Sequence, residues 1–249
     1  MLNKNTLLAL TATAAATISA PAAFASLVTY SQDFEGLDQS SPSALAEDGW
    51  KIFANVFDSS GTGFLYNYGV FDAPNGSGGF SNVASGEGGP DQGAQQLVTF
   101  SDYNNADHEI TDNRIETNVF QEQIISAADI GSEWTFSFDA KMGDLAGDST
   151  ALAFIKTLDP NAGFALTNFL IIDMTTIAST WDTYAMSLFI DGSLDGQILQ
   201  FGFATTASGF DASGVFYDNV DFRPVPLPGA VWLMASGLLA FSRLRRKDG

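Results

Sequence analysis

The chain contains no cysteine. Disulfides, thiol nucleophiles and cysteine-ligated metal centres are therefore excluded, and something other than covalent cross-links must hold the fold. Histidine is almost as scarce: His108 is the only one, so a multi-histidine metal site is excluded too. Basic side chains are few, ten against 29 acidic ones. Six of those ten (Lys4, Arg223, Arg243, Arg245, Arg246 and Lys247) fall outside residues 26–222. Within those limits four Lys and Arg stand against 28 Asp and Glu, a net charge of −24. Such a surface repels phosphate backbones and anionic lipid, which excludes nucleic acid as a partner. It also repels itself unless cations intervene. Solubility alone and divalent-cation binding are both consistent with it. No Gly-x-Ser-x-Gly elbow and no phosphate-binding loop occurs.

What the chain does have is phenylalanine, 21 of them, enough to dominate a core. It also has two unusual ends. Lys4, the Ala-rich apolar stretch from Leu7 to Ile18, and Ala23-Phe24-Ala25 read in order as a secretory signal cut before Ser26. At the other end Val225 to Phe241 is an uncharged run of 17 residues. As a helix it would reach roughly 25 Å, just enough to cross a bilayer. Pro224, Pro226 and Pro228 keep the approach non-helical. The basic cluster that follows keeps its own side cytoplasmic and leaves the body outside, as the signal also demands.

The tail resembles a known family. Val225-Pro226-Leu227-Pro228, then Trp232, Ser236-Gly237 and Arg243, Arg245 and Arg246 strongly resemble the PEP-CTERM sorting domain, with Val-Pro-Leu-Pro where Pro-Glu-Pro often stands. The resemblance implies processing by an exosortase, a membrane sorting protease. It also implies a cell-surface or extracellular destination and an association with exopolysaccharide or biofilm. An ordinary single-pass anchor is the alternative.

Between the ends, residues 26–222 read as strands. The segments are 50–57, 64–71, 96–100, 114–125, 134–141, 151–157, 169–173, 181–190, 198–204 and 215–222. Trp134, Phe136 and Phe138 alternate with Thr135, Ser137 and Asp139, the period of a half-buried strand. Asp48-Gly49, Asp159-Pro160, Asp191-Gly192 and Asp195-Gly196 punctuate them as turns. The expected fold is all-β, a two-sheet antiparallel sandwich of jelly-roll type. Residues 72–95 hold seven glycines and read as a long loop, either a mobile rim or a ligand-binding edge.

The body carries a second resemblance. Asp33-Phe34-Glu35-Gly36, then Phe136-Ser137-Phe138-Asp139, Gln200-Phe201-Gly202-Phe203 and Tyr217-Asp218-Asn219-Val220 follow in an order similar to galactose-binding-like carbohydrate-binding jelly rolls. That resemblance implies a structural calcium shared by Glu35 and Asp218. Hard carboxylate oxygens suit such an ion. Aromatic rings stack on sugars, so Tyr66 and Tyr68, on one face of their strand, are the first candidates for a ligand platform. Trp50 is a candidate either for that platform or for the core. Trp134 and Trp181 read as core. His108, between Asp107 and Glu109, reads as a polar-loop residue, with metal binding or base catalysis as the alternative. The acidic triplet of jelly-roll glycan hydrolases is missing. The leading expectation is a non-catalytic exported protein that binds a glycan. A calcium-crosslinked matrix or adhesion protein and a polysaccharide-active hydrolase are the alternatives.

Overall fold

The computed structural model describes residues 26–76 and 79–226. The expected signal at 1–25 and the tail from Leu227 onward, including Pro228, Trp232, Ser236, Gly237, Arg243, Arg245 and Arg246, lie outside the described residues. Among the described residues no helix is long and apolar enough to cross a membrane.

The chain is all-β. Its strands are β1 (Tyr30–Gln32), β2 (Lys51–Phe57), β3 (Phe64–Asp72), β4 (Phe80–Ser85), β5 (Gln95–Phe100) and β6 (Arg114–Ile124), followed by β7 (Glu133–Met142), β8 (Thr150–Asp159), β9 (Ala165–Asp173), β10 (Asp182–Phe189), β11 (Ile198–Ser208) and β12 (Val215–Pro224). One four-residue helix, α1 (Ala44–Glu47), precedes β2. The strands form two antiparallel sheets. Sheet A runs β10-β7-β12-β5-β4, with β1 also on β12, and sheet B runs β3-β2-β6-β11-β8-β9. All ten strand segments expected from the sequence are present, and β1 and β4 are additional. β12 continues through Arg223 and Pro224, and the Val225 N–H donates to the Glu133 carbonyl at 2.7 Å.

Alternation decides which face each side chain takes. In β2, Ile52, Ala54 and Val56 are buried while Lys51, Phe53 and Asn55 turn outward. The core between the sheets is aromatic. Phe201 and Phe203 of β11 meet Phe136 and Phe138 of β7, and Phe203 stacks on Tyr217 with ring centroids 3.6 Å apart. These large buried rings hold together a fold that has no disulfides.

Four expectations change. Trp50 is wholly buried, stacked over Phe203 with its indole N–H on Asp48 at 3.1 Å, so of its two candidate places it takes the core and not the platform. Trp181 is only half-buried and lies outside the core, its indole N–H on the Glu87 carbonyl at 2.9 Å. The glycine-rich segment 72–95 is not one long loop, because Phe80–Ser85 forms β4 against β5. Its low apolar content concealed a strand that buries Phe80 and Val83. His108 is buried in a π-helical turn, Asp107–Thr111, with Nε2 2.8 Å from the Ser101 carbonyl and its ring against Tyr103 and Phe210.

Candidate functional site

Two candidate places stand out, although buried side-chain atoms without partners also occur at Thr99, His108, Arg114, Thr117 and Tyr217. One lies on sheet A. At Asp218 β12 faces Asp139 of β7, and the register shifts between Asp218 and Asp221. The bulge puts Asn219 in the left-handed region at φ 47° and re-aims the side chains around it. Asp139 is well served: Gln92 and Asn219 donate to Oδ2, each at 2.8 Å, and Thr183 donates to Oδ1 at 2.6 Å. Asp218 is not. Its Oδ1 takes the Asn219 N–H at 2.6 Å, but Oδ2 is buried without a partner. Gln92 Oε1 and Gln96 Oε1 are buried without partners as well. Burial, then the charges of Asp139 and Asp33, push the Asp218 carboxyl up to about 7, while the Asn219 N–H and the Gln96 amide pull the other way.

Glu35 is placed differently from Asp218. Phe34 turns into the core at φ 59° and leaves Asp33 and Glu35 exposed on either side. Glu35 Oε1 accepts the N–H groups of Ala94 at 2.7 Å and Gln95 at 2.6 Å, fastening the loop between β4 and β5. The acids whose charges raise Asp218 are Asp139 and Asp33, not Glu35. Among the described residues no three His, Cys, Asp or Glu side chains gather as a metal-binding group. A cation at Asp218 would thus draw on carboxylate oxygen, the free Oδ2 of Asp218 with Asp139 opposite it across the strand. That donor set suits a hard cation such as calcium and not zinc.

The second place is the outer face of sheet B. Across β6, β11 and β8 the register aligns Glu122, Gln200 and Lys156 in one row and Phe120, Gly202 and Phe154 in the next. Gly202 keeps the second row low. Any Cβ there would run into the Val119 carbonyl and the Phe120 backbone of β6, so the position requires glycine. Above these rows opens a cavity of about 540 Å³. Phe53 and Val70 wall one side, and Leu158, Ile198 and Phe164 the other. Phe164 sits at φ 63° on the β8–β9 turn and is 60% exposed.

The floor is polar. Gln200 donates to Glu122 Oε2 at 2.6 Å. The Lys156 ammonium lies over the rings of Phe154 and Phe120, 4.6 and 5.4 Å from their centroids. Among the described residues its hydrogen-bond partner is Asn118 Oδ1 alone, at 3.4 Å. Burial pushes the Lys156 amine down to about 8, opposed by the charges of Glu116 and Glu122.

Tyr66 and Tyr68 are not in this cleft. They pair opposite Val56 and Ala54, on the core side of β3. The Tyr66 hydroxyl donates to Asp107, and the Tyr68 hydroxyl bonds to that of Tyr103. Tyr66 remains 44% exposed, so the pair forms a small rim beside His108 and not a cleft floor. A larger hollow of about 620 Å³ lies on the outer face of sheet A. Its cation, Lys141, is already bound to Glu87 at 2.6 Å and lies over the Trp181 and Phe216 rings, so it presents no unmet cation. Sequence reasoning missed Lys156, Glu122 and Gln200. The signal was there in Phe120 and Phe154, apolar residues on the polar side of the alternation, but only strand register shows that they meet.

No protein-family model and no curated protein matches the chain. Solved structures show a weak likeness at low identity. The xylan-binding CBM22-1 domain of Paenibacillus barcinonensis Xyn10C is 11% identical with a TM-score of 0.41, covering 84% of this chain and 100% of that one. The CBM22-1–GH10 modules of a Clostridium thermocellum endo-1,4-beta-D-xylanase, complexed with xylohexaose, give 12% and 0.42 over 80% of this chain and 28% of that one. A bacteriophage CBA120 tailspike domain, described as enzymatically active, gives 14% and 0.43 over 76% of this chain and 21% of that one. At these identities and scores the likeness assigns neither an activity nor a ligand to this chain.

Proposed function

We propose that the chain is an exported, non-catalytic polysaccharide-binding protein whose sugar site is the cleft on the outer face of sheet B. The observation that carries this reading is the pairing of apolar walls, Phe53 and Phe164, with a floor of carboxylate, amide and ammonium. Sugars present apolar C–H faces beside hydroxyls that both donate and accept, so they suit walls and floor together. Turnover is disfavoured by the same lining. It holds one carboxylate, Glu122, whereas glycoside hydrolysis uses two flanking the bond.

Calcium belongs to the proposal as a structural ion at Asp218. The buried, unpartnered Oδ2 of Asp218, facing Asp139 across the strand, is the support. Export by the N-terminal signal, tail processing by an exosortase, and a place in the cell envelope or extracellular exopolysaccharide rest on the sequence of the two ends. The test is affinity electrophoresis of residues 26–226 through gels containing soluble polysaccharides. Retardation by at least one polymer, lost in Phe164→Ala with Phe53→Ala, is the expected result. Unretarded migration in every gel would sink the glycan reading.

A second reading, a calcium-crosslinked matrix or adhesion protein, draws on the edges of sheet B. Phe64, Leu65, Val70 and Phe71 on β3, and Leu166, Phe169 and Ile171 on β9, are all exposed on an otherwise strongly acidic body. Calcium-dependent self-association in light scattering, without polymer binding, would favour it.

A further inference from the structure

The cleft holds an unusual cation. Of the five Lys and Arg among the described residues, Lys51, Lys141 and Arg223 lie against carboxylates. Arg114 donates to the Asp148 carbonyl at 2.6 Å. Lys156 has only the amide oxygen of Asn118, and it sits over two phenylalanine rings on the floor of a cavity. An ammonium carries three donors, so most of its bonding capacity is open to whatever fills the cleft. At the other end of the same row, Glu122 offers only acceptors. Gln200, between them, already spends its amide N–H on Glu122. The cleft floor therefore has a donating pole, the Lys156 ammonium over the Phe154 and Phe120 rings, and an accepting pole at Glu122.

We propose that this row selects an uncharged, hydroxyl-rich polysaccharide, with Lys156 donating to the chain and Glu122 accepting from it. The inference rests on the glycan reading of the same cleft and adds the charge class of the ligand. Hydroxyls satisfy both poles at once because each one donates and accepts. A uronate polymer satisfies Lys156 but brings like charge to Glu122, Glu116 and a body of net charge −24. An amino-sugar polymer satisfies Glu122 but sets its ammonium against Lys156. In a partly desolvated cleft such repulsions cost far more than in water, and they supply selectivity by exclusion.

The geometry also dictates a pH dependence. Glu116 and Glu122 of β6 are the carboxylates acting on Lys156. β11 sets Gln200 beside it and β9 sets Phe169, neither of them titratable. Ligand oxygens favour the ammonium form. Affinity is thus highest below about pH 8 and falls as the amine loses its proton above that.

The test uses the full-length chain in detergent and isothermal titration against three groups of soluble polymers. These are neutral glucans, xylans, mannans and galactans; polygalacturonate; and chitosan. The expected result is a neutral binder at least about tenfold tighter than either charged polymer. K156M should weaken that binder about tenfold and flatten its pH profile between 7 and 9. E122Q should narrow the gap between the neutral binder and polygalacturonate. Melting curves confirm that each variant is folded. Equal or tighter binding of polygalacturonate or chitosan, or an unchanged affinity and pH profile in K156M, overturns the selection while leaving glycan binding standing. Binding of no polymer at all overturns both.

Discussion

Asp218 and Lys156 are the same kind of defect on opposite sheets: a charge drawn out of water with too few partners. Their surroundings differ in sign. Asp218 pairs across the strand with Asp139, and Asp33 adds further negative charge, so its carboxyl is pushed up to about 7. Lys156 pairs across with Gln200, and the charges of Glu116 and Glu122 hold its amine up against burial, leaving it at about 8. The first deficit is of positive charge, which a cation meets. The second is of acceptors, which neutral oxygens meet without adding charge. On the proposed reading one sandwich carries an ion site and a sugar site, and local sign, not burial, tells them apart.

Both sites hang on one core, so the largest effect comes from breaking that core. Trp50→Ala removes a fully buried indole and should cost about 3–5 kcal/mol by denaturant titration, as large aromatic truncations do. Calcium response and polymer binding should then be lost together. If one survives, the two sites do not share a frame.

Asp218→Asn separates the sites. A carboxyl held above its ordinary value gives stability that is full below about pH 4 and is lost as pH rises toward about 7. With calcium chelated, the wild type should therefore lose melting temperature across that window, and the variant should not. At pH 7.5 Asp218→Asn should be more stable by roughly 1–2 kcal/mol, the scale of relieving one unpartnered, partly screened charge. Adding calcium reverses the order: about tenfold excess over the dissociation constant gives the wild type ~1.4 kcal/mol, and the variant gains nothing. Equal calcium shifts in the two proteins would remove Asp218 from the ion site.

How much of this was legible beforehand follows from what each signal encodes. Period-two alternation marked β7 through Trp134, Phe136 and Phe138, because one face of that strand meets the core and the other does not. β4 was hidden: Phe80 and Val83 are its only bulky apolar residues, and glycines surround it. Asp218 stood out through the resemblance to carbohydrate-binding jelly rolls, which implies a calcium shared with Glu35. The unpartnered oxygen of Asp218 depends on a bulge, and the Gln96 amide that acts on its carboxyl comes from β5, over a hundred positions away. Lys156 was invisible for the same reason. It matters because of Gly202 and Phe120 on neighbouring strands, and register is a property of the folded sheet.

Lys156→Met gives the opposite pH signature to Asp218→Asn. An amine held below its ordinary value gives stability that is full above about pH 10.5 and is lost as pH falls through about 8. At pH 7 the charge is a burden, so Lys156→Met should raise stability by about 1 kcal/mol. The gain should fade by pH 10. A variant that lost stability at pH 7 would mean that the lysine stem packs against Phe120 and Phe154 more than its charge costs.

The smallest expected effect on stability belongs to Phe164→Ala. This ring is 60% exposed on the β8–β9 turn and closes none of the core, so folding should change by no more than about 0.5 kcal/mol. Polymer affinity should nonetheless fall several-fold, because Phe164 stands opposite Phe53 across the cleft and a sugar face loses one of its two walls. Calcium stabilisation at Asp218 should not move at all, since nothing links the turn to sheet A's ion site. A matched loss of calcium response would make the two deficits one coupled site, and the sign rule that separates them would then describe a single ligand pocket.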